Sequence, residues 1–337
     1  MTGCIRFACS SSQGGVTFCL AVKNDGVYAW GYNGYGQLGD GTTDNITTGP
    51  VKTLAGSFDR VVCGCSQNDD SYNMSFAIGG DGTMYVCGYN GYGNLGLPAG
   101  SQHDAEYQKV WRQSATNVVD AWCHGWGTRL TSYYLSNAGY LHVAGNNQYG
   151  QWGNGTTGDS KVAGWRFSGG GLKYKDFSVA GTNEMSCIGL CTDGTVRTWG
   201  GNNYGQLGSN NTTQKNSVHN PSLAGIKKVR MHDRYVMTGA LSEDGKLYMC
   251  GYNAYGQMGR DYTGDQLAFN QVLLDGADMK IKDFEFWGED SGTGVTVVDQ
   301  DDVLYSCGYA GQYNTAIGGA DGQNEHTVLA ECNIHCF

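Results

Sequence analysis

The sequence contains few prolines, few charged residues and no long apolar run. Three prolines in 337 residues exclude collagen, which needs abundant proline and a glycine at every third position. Charged residues make up 15% of the chain and aromatic residues 12%, whereas disordered chains are rich in charge and poor in aromatics. No apolar run approaches the roughly 18 residues of a membrane-spanning helix, so we expect no membrane span.

The charge balance is acidic, with 21 Lys and Arg residues against 31 Asp and Glu residues and a formal net charge of −10. Proteins that bind nucleic acid carry clustered Lys and Arg, which replace the counterions of the phosphates. This sequence has no such cluster and no basic tail. We therefore expect no nucleic-acid partner.

Glycine is abundant, with 55 residues, and much of it belongs to a motif that recurs along the chain. The first copy is Val27-Tyr-Ala-Trp-Gly-Tyr-Asn-Gly-Tyr-Gly-Gln-Leu-Gly39, and a nearly identical copy begins at Met84. Further copies span 141–153, 196–208 and 247–259, and a degenerate sixth copy begins at Leu304. The leading glycines, which we interpret as structural residues of the repeat, recur every 51 to 57 residues: Gly31, Gly88, Gly145, Gly200, Gly251 and Gly308. Periods near 50 residues are typical of propellers and arrays.

Turn and strand patterns surround each copy. Asp-Gly pairs at 25–26, 81–82, 193–194 and 244–245 precede the motif strand and predict type I′ hairpin turns. The third copy has Asn137-Ala-Gly139 instead, and the sixth has Asp301-Asp302 without a glycine, which predicts a different turn there. Residues alternate with period two on both sides of each turn and further upstream, which gives about four strands per unit and no amphipathic helix.

Four-stranded sheets stacked radially form a β-propeller. We therefore predict an all-β fold, a β-propeller of about six four-stranded blades, with seven blades as an alternative. The prediction treats residues 1–337 as a single domain, with repeat units at approximately 1–58, 59–116, 117–171, 172–224, 225–277 and 278–337.

The phrase Trp-Gly-x-Asn-x-x-Gly-Gln-Leu-Gly, preceded by Asp-Gly, resembles the repeat of the regulator of chromosome condensation family. It is seen best at 30–39 and 199–208, and the resemblance covers nearly the whole chain. The resemblance implies a propeller, usually of seven blades. Some family members promote nucleotide exchange on small GTPases through a wedge that projects from one blade, and others are modules of ubiquitin-pathway, membrane-traffic or structural proteins. The even repeat intervals here leave little room for a wedge, and the basic tail of chromatin-bound members is missing.

Tyrosine and asparagine recur in the motif loops. We predict that the asparagines hydrogen-bond the loop backbone: Asn33, Asn90, Asn147, Asn202 and Asn253. Tyrosine offers rigid contact area with a polar tip, so tyrosines at equivalent positions can bind a protein or a sugar, although they can equally pack between blades. The candidate binding residues are Tyr32, Tyr35, Tyr89, Tyr92, Tyr149, Tyr204, Tyr252 and Tyr255.

The 13 cysteines indicate packing rather than disulfides or a metal site. One repeat position is held by Trp30 and Trp199 in two copies and by cysteine in three others, Cys87, Cys250 and Cys307, which indicates a buried slot. Further cysteines in apolar strand segments have the same interpretation: Cys19, Cys63 and Cys187. We therefore predict reduced thiols. A Cys332, His335 and Cys336 group lacks the second cysteine pair of a zinc site, so we expect no bound metal.

No catalytic motif is recognisable, because the sequence has no Gly-x-Ser-x-Gly elbow, no P-loop and no His-Glu-x-x-His. The seven histidines share no repeat position, and His142 replaces a repeat tyrosine, which favours packing. We therefore expect no enzymatic activity and no cofactor.

Low charge with much Gly, Asn, Thr and Tyr resembles the composition of externally exposed viral adhesins. The leading hypothesis is a non-enzymatic binding or structural propeller on a virion surface, as a phage tail-fibre or capsid-associated protein. Its partner would be a protein or a surface receptor, within a larger assembly. The alternative is a cytoplasmic guanine-nucleotide exchange factor or regulatory scaffold for a small GTPase.

Overall fold

The computed structural model describes residues 4–10, 16–64, 72–100, 105–158, 161–181, 184–232, 236–259, 263–273, 278–289, 292–309 and 325–331. These residues form six four-stranded sheets, which confirms the predicted four strands per repeat. In each sheet the strands lie side by side in chain order, and we number them first to fourth. The helical content of the described residues is one turn of 3-10 helix at Gly169–Gly171.

The chain divides into two compact units, residues 1–174 and 175–337. The first unit holds sheet 1 (Cys4–Cys9, Phe18–Lys23, Gly26–Gly31, Ile46–Ala55), sheet 2 (Arg60–Gly64, Met74–Ile78, Met84–Tyr89, Tyr107–Ala115) and sheet 3 (Val118–Trp126, Arg129–Ser136, Leu141–Gly145, Arg166–Phe167). The second unit holds sheet 4 (Tyr174–Ala180, Ser186–Cys191, Val196–Gly200, Lys215–His219), sheet 5 (Ile226–Met231, Met237–Ser242, Leu247–Gly251, Gln266–Gln271) and sheet 6 (Ile281–Glu289, Gly292–Asp299, Leu304–Tyr309, Glu325–Glu331).

The hairpin turn between the second and third strands is not the predicted type I′ turn. In sheet 2 the Gly82 amide donates to the Gly79 carbonyl, and the Gly79 amide donates to the Thr83 carbonyl. Gly82 has φ 77°, whereas Asp81 is not at positive φ and its carboxylate accepts the Thr83 amide at 2.8 Å. The loop is therefore a type I turn followed by a left-handed glycine. The same two backbone hydrogen bonds recur in sheets 3 to 6.

The turn of sheet 6 also differs from the expectation. Its lack of glycine predicted another turn type, but Asp302 takes the left-handed position at φ 63° and its amide donates to the Asp299 carbonyl. Aspartate tolerates this conformation because its short polar side chain can hydrogen-bond locally. The strand pairing on both sides of the turn therefore determines its geometry, even where the glycine is missing.

Apolar side chains of the second and third strands pack between neighbouring sheets of each unit. In the first unit Phe18, Leu20 and Val27 of sheet 1 contact a cluster that includes Val61 and Ala77 of sheet 2. One face of each inner strand is therefore buried, whereas the other face of the third strands carries half-buried residues such as Tyr85, His142 and Tyr248. The second unit has the same arrangement, and its largest cluster joins sheets 5 and 6 through Leu247, Met249, Phe284, Val295 and Val297.

The slot shared by tryptophan and cysteine is buried, as predicted, at Trp199 and at the three cysteines, whereas Trp30 is half-buried. Cys87, Cys250 and Cys307 are inaccessible to solvent. Each thiol donates to the carbonyl of a glutamine in the preceding motif loop, at 3.2 to 3.4 Å. Burial raises the pKa of all three thiols. These cysteines therefore fill space and link neighbouring sheets.

The prediction of a fully reduced chain is wrong for Cys9 and Cys19, which form a disulfide. The two residues lie directly opposite each other in the register of the first two strands of sheet 1, with their Cα atoms 4.1 Å apart. The sequence pattern did not show how the strand Cys4–Cys9 pairs with the strand Phe18–Lys23. Cys19 was therefore interpreted as a packing residue.

Candidate functional site

The motif loop begins where the third strand ends, and a buried asparagine organises it. Asn202 Oδ1 accepts the amide of Leu207 at 2.9 Å, and Nδ2 donates to the carbonyls of Asn211 and Thr213 at 2.8 and 3.1 Å. In five copies the asparagine accepts the amide of the residue five positions later at 2.9 to 3.0 Å, the acceptors being Asn33, Asn90, Asn147, Asn202 and Asn253. The predicted backbone-bonding role of these asparagines is confirmed.

In four copies a glutamine four residues after the asparagine is a second organising residue, a role that was not predicted although the glutamine recurs in the motif. Its Oε1 accepts the backbone amide of the tyrosine two residues earlier, as Gln206 does from Tyr204 at 2.9 Å. In three copies its backbone carbonyl accepts hydrogen bonds from the next sheet. The Gln206 carbonyl accepts the Thr238 hydroxyl at 2.7 Å and the Cys250 thiol at 3.4 Å. The first, fourth and fifth motif loops therefore hold the following sheet through this carbonyl, whereas the Gln151 carbonyl accepts the Tyr133 hydroxyl of its own sheet.

The amide Nε2 of this glutamine is satisfied in some copies and not in others. Gln206 Nε2 donates to the hydroxyl of Ser186 at 3.0 Å, because Ser186 lies opposite the leading glycine in the second strand. In sheet 5 the equivalent residue is Met237, which offers no oxygen, and the buried Nε2 of Gln257 has no hydrogen-bond partner among the described residues. One strand residue therefore decides whether the loop glutamine is satisfied.

We predict that Gln206→Met destabilises the protein by about 1–2 kcal/mol more than Gln257→Met, because only Gln206 loses an Nε2 hydrogen bond. Gln257→Met removes a buried Nε2 that has no hydrogen-bond partner among the described residues, and this gain offsets part of the loss of the Oε1 bond to the Tyr255 amide. Urea-induced unfolding of both variants measures the difference. Equal losses of stability would contradict the assignment.

The leading glycines are required by their backbone conformation and by close packing. Their φ angles lie between 97° and 128° at all six positions: Gly31, Gly88, Gly145, Gly200, Gly251 and Gly308. A Cβ atom at Gly251 would overlap the Val236 carbonyl oxygen and would lie 3.2 Å from the Cβ of Gln206. The glycine therefore lets the motif loop of the preceding sheet lie against the third strand.

Some of the candidate tyrosines meet in pairs between neighbouring sheets. The rings of Tyr35 and Tyr89 lie 5.4 Å apart at 84°, and those of Tyr204 and Tyr252 lie 5.3 Å apart at 86°. This repeated edge-to-face geometry is favourable for aromatic rings and joins one motif loop to the next. Tyr89 is 3% exposed, and its burial raises the pKa of its hydroxyl.

The remaining candidates keep part of their surface exposed. Tyr204 is 40% exposed, the largest value among the eight. The others are half-buried, namely Tyr32, Tyr35, Tyr92, Tyr149, Tyr252 and Tyr255. Because each follows the end of a third strand, the tyrosines within one unit lie at the same end of its sheets. The tyrosines of each unit thus form one surface at that end of the sheets, which we call the motif-loop surface.

Other candidate residues do not form a site. His142 stacks on Tyr134 with ring centroids 4.4 Å apart, and burial lowers its pKa, in agreement with the predicted packing role. Within the described ranges, no three His, Cys, Asp or Glu side chains converge as metal ligands would. The Cys332, His335 and Cys336 group and most of the sixth motif loop lie outside the described residues. In the part of the chain that the structure describes, no helix is long and apolar enough to cross a membrane.

The sequence matches a family model and curated proteins. The model of the Regulator of chromosome condensation (RCC1) repeat matches residues 24–68 and 193–234. The Ultraviolet-B receptor UVR8 of Arabidopsis thaliana is 30% identical over 264 residues, which are 77% of this chain and 56% of the receptor. The E3 ubiquitin-protein ligase HERC2 of Homo sapiens is 30% identical over 215 residues, which are 63% of this chain and 4% of the ligase. The chain thus spans about half of the receptor and a small part of the ligase.

Solved structures share the fold. The crystal structure of Prp20p from Saccharomyces cerevisiae, described with its binding to Gsp1p and histones, matches with a TM-score of 0.65 and 20% identity over 98% of this chain and 77% of that one. Human WBSCR16 matches with a TM-score of 0.65 and 17% identity over 94% of this chain and 79% of that one. At such identities the likeness concerns the fold and not the function.

Proposed function

Because this chain carries the repeats of the regulator of chromosome condensation family and folds as their β-propeller, we propose that it is a non-enzymatic protein-binding scaffold. The motif-loop surface is the observation that carries the proposal. Tyrosine is enriched in protein contacts, because its ring supplies rigid area and its hydroxyl a hydrogen bond. The binding of Prp20p to Gsp1p and histones also supports a protein partner.

A regulatory scaffold or exchange factor for a small GTPase is the second candidate. This candidate is favoured by the fold that the chain shares with Prp20p, whose structure is described together with its binding to Gsp1p and histones. The virion-surface role, by contrast, depends on composition alone. Measuring nucleotide release from a panel of small GTPases tests the second candidate. If this chain accelerates nucleotide release from one of the GTPases, the exchange-factor function is favoured over simple protein binding.

Site-specific photo-cross-linking tests the proposed surface. We expect a photoreactive amino acid at position 204 to give protein adducts in extracts of the source organism. The control is position 140, because Tyr140 also keeps part of its surface exposed but follows the hairpin turn at the opposite end of its sheet. Adducts at both positions, or at neither, would contradict binding through the motif loops.

Once the cross-linked partner is purified, we predict that Tyr204→Ala weakens its binding at least tenfold, about 1.4 kcal/mol. The variant should stay folded, because Tyr204 is 40% exposed and, within the described residues, its ring meets that of Tyr252. Tyr140→Ala is the matched control and should bind as the wild type does. Titration calorimetry measures both affinities, and urea unfolding of the same samples separates lost binding from lost structure. Unchanged affinity of a folded Tyr204→Ala would argue against the motif-loop surface.

A further inference from the structure

A cavity of about 500 Å³ opens in the first unit, beside the fourth strands of sheets 2 and 3. Its walls come from the second motif loop, the end of the fourth strand of sheet 2 and the segment before the fourth strand of sheet 3. They include Pro98, Gln113, Ser114, Thr116, Gly164 and Trp165. The volume lies within the range of about 300–1,000 Å³ that is usual for small-molecule sites. We call this cavity the Trp165 groove.

The groove lies where sheet 3 differs from sheet 2 in the length of its fourth strand. Trp111 and Trp165 are equivalent residues: each ring covers the last glycine of a motif, and each Nε1 donates to a hydroxyl of the preceding sheet. The acceptors are Thr53 at 3.1 Å and Ser114 at 2.9 Å. Trp111, however, lies within a strand of 9 residues, whereas Trp165 precedes a strand of only 2, Arg166–Phe167. The short strand leaves space beside Trp165.

The chemistry of the walls is neutral and polar, with one aromatic ring. Although the chain has a net charge of −10, none of the described residues that line the cavity is charged. Gln113 and Thr116 are exposed, and within the described residues their side chains make no hydrogen bond. The Trp165 Nε1 is already bonded to Ser114, so the indole contributes apolar surface rather than a donor. The groove thus offers an aromatic wall with an amide and a hydroxyl nearby.

We propose that the Trp165 groove binds a neutral carbohydrate. A hexose ring has a face of C–H groups that packs on an aromatic ring, while its hydroxyls exchange hydrogen bonds with amides and hydroxyls. A charged ligand would lose its hydration without gaining an opposite charge from the walls. None of the candidate tyrosines is among the described residues that line the groove, so this activity is additional to the proposed protein binding.

A glycan array with neutral and acidic members tests the proposal, followed by calorimetric titration of the best neutral glycan. We expect the wild-type protein to bind neutral glycans only. The double variant Gln113→Ala/Thr116→Val should bind at least tenfold more weakly, because both exposed polar groups are lost. Neither side chain makes a hydrogen bond within the described residues. The midpoint of urea-induced unfolding should therefore be the same in this variant as in the wild type.

The matched control is Gln300→Ala, an exposed glutamine in the hairpin turn of sheet 6, and it should bind the glycan as the wild type does. Trp165→Phe provides a second readout, since it should weaken glycan binding while Trp111→Phe leaves it unchanged. The proposal is overturned if no neutral glycan binds, if only acidic glycans bind, or if the folded double variant keeps its affinity. It is also overturned if the groove binds a proline-rich peptide instead of a glycan.

Discussion

Replacement of Gly251 by alanine is expected to lower the free energy of unfolding by at least about 3 kcal/mol. Gly251 ends the third strand of sheet 5 at φ 105°, a conformation that residues with a Cβ rarely adopt. The added Cβ would also overlap the Val236 carbonyl oxygen of the paired strand. Because that obstacle is backbone, no change of side-chain rotamer relieves it. The strand pairing itself must shift.

Urea unfolding followed by tryptophan fluorescence measures this loss. The matched control is Gly158→Ala, since Gly158 is not at positive φ and a Cβ there would meet no atom of the described residues within 4 Å. We expect the control to change stability by no more than about 0.5 kcal/mol. A loss below about 1 kcal/mol in Gly251→Ala would show that the leading glycine is replaceable.

The substitution should also disturb sheet 4, because the Cβ would lie 3.2 Å from the Cβ of Gln206 in the motif loop of that sheet. Hydrogen exchange of the Leu207 amide, which is bonded to Asn202, reports on that loop. We expect faster exchange there in Gly251→Ala. Unchanged exchange would mean that the strain stays within sheet 5.

The strands were predictable because they depend on local alternation of apolar residues. Val27 and Ala29 are both buried on one face of their strand, as the sequence pattern predicted. The turn type was not predictable from Asp81-Gly82, because the same dipeptide fits the centre of a two-residue loop or the end of a three-residue loop. The register of the flanking strands decides between these loops, and that register depends on pairing across the sheet. The Cys9–Cys19 disulfide was missed for the same reason.

In the candidate site, the role of the asparagines was predictable because their partners lie within a dozen residues. The fate of each tyrosine was not. Tyr35 and Tyr204 occupy the same motif position, yet Tyr35 also meets Tyr107 from the fourth strand of the next sheet. In sheet 5 the residue equivalent to Tyr107 is Asp265, because Gln108 and Gln266 each pair with the leading glycine of their sheet, and Tyr204 keeps more of its ring exposed. Exposure is therefore set by the neighbouring sheet, which the motif alone does not reveal.

Asn202→Ala is expected to lower the free energy of unfolding by about 3 kcal/mol, because it removes a buried group that satisfies several backbone atoms at once. The alanine would leave the Leu207 amide and the carbonyls of Asn211 and Thr213 without their side-chain partner. Each backbone group that stays buried without a new partner costs about 1–3 kcal/mol. Part of the loop can open to water, which is why the expected loss is below the sum.

The adjacent residue provides the control for this prediction. Asn203 has the same side chain but is exposed, so Asn203→Ala should change stability by no more than about 0.5 kcal/mol in the same urea titration. Asn202→Asp separates the two halves of the amide, since it keeps the acceptor for the Leu207 amide and loses the donor to the carbonyls. It should therefore remain well below the wild type in stability, because a carboxylate would face carbonyl oxygens. If Asn202→Ala and Asn203→Ala unfold at the same urea concentration, the asparagine does not hold the motif loop.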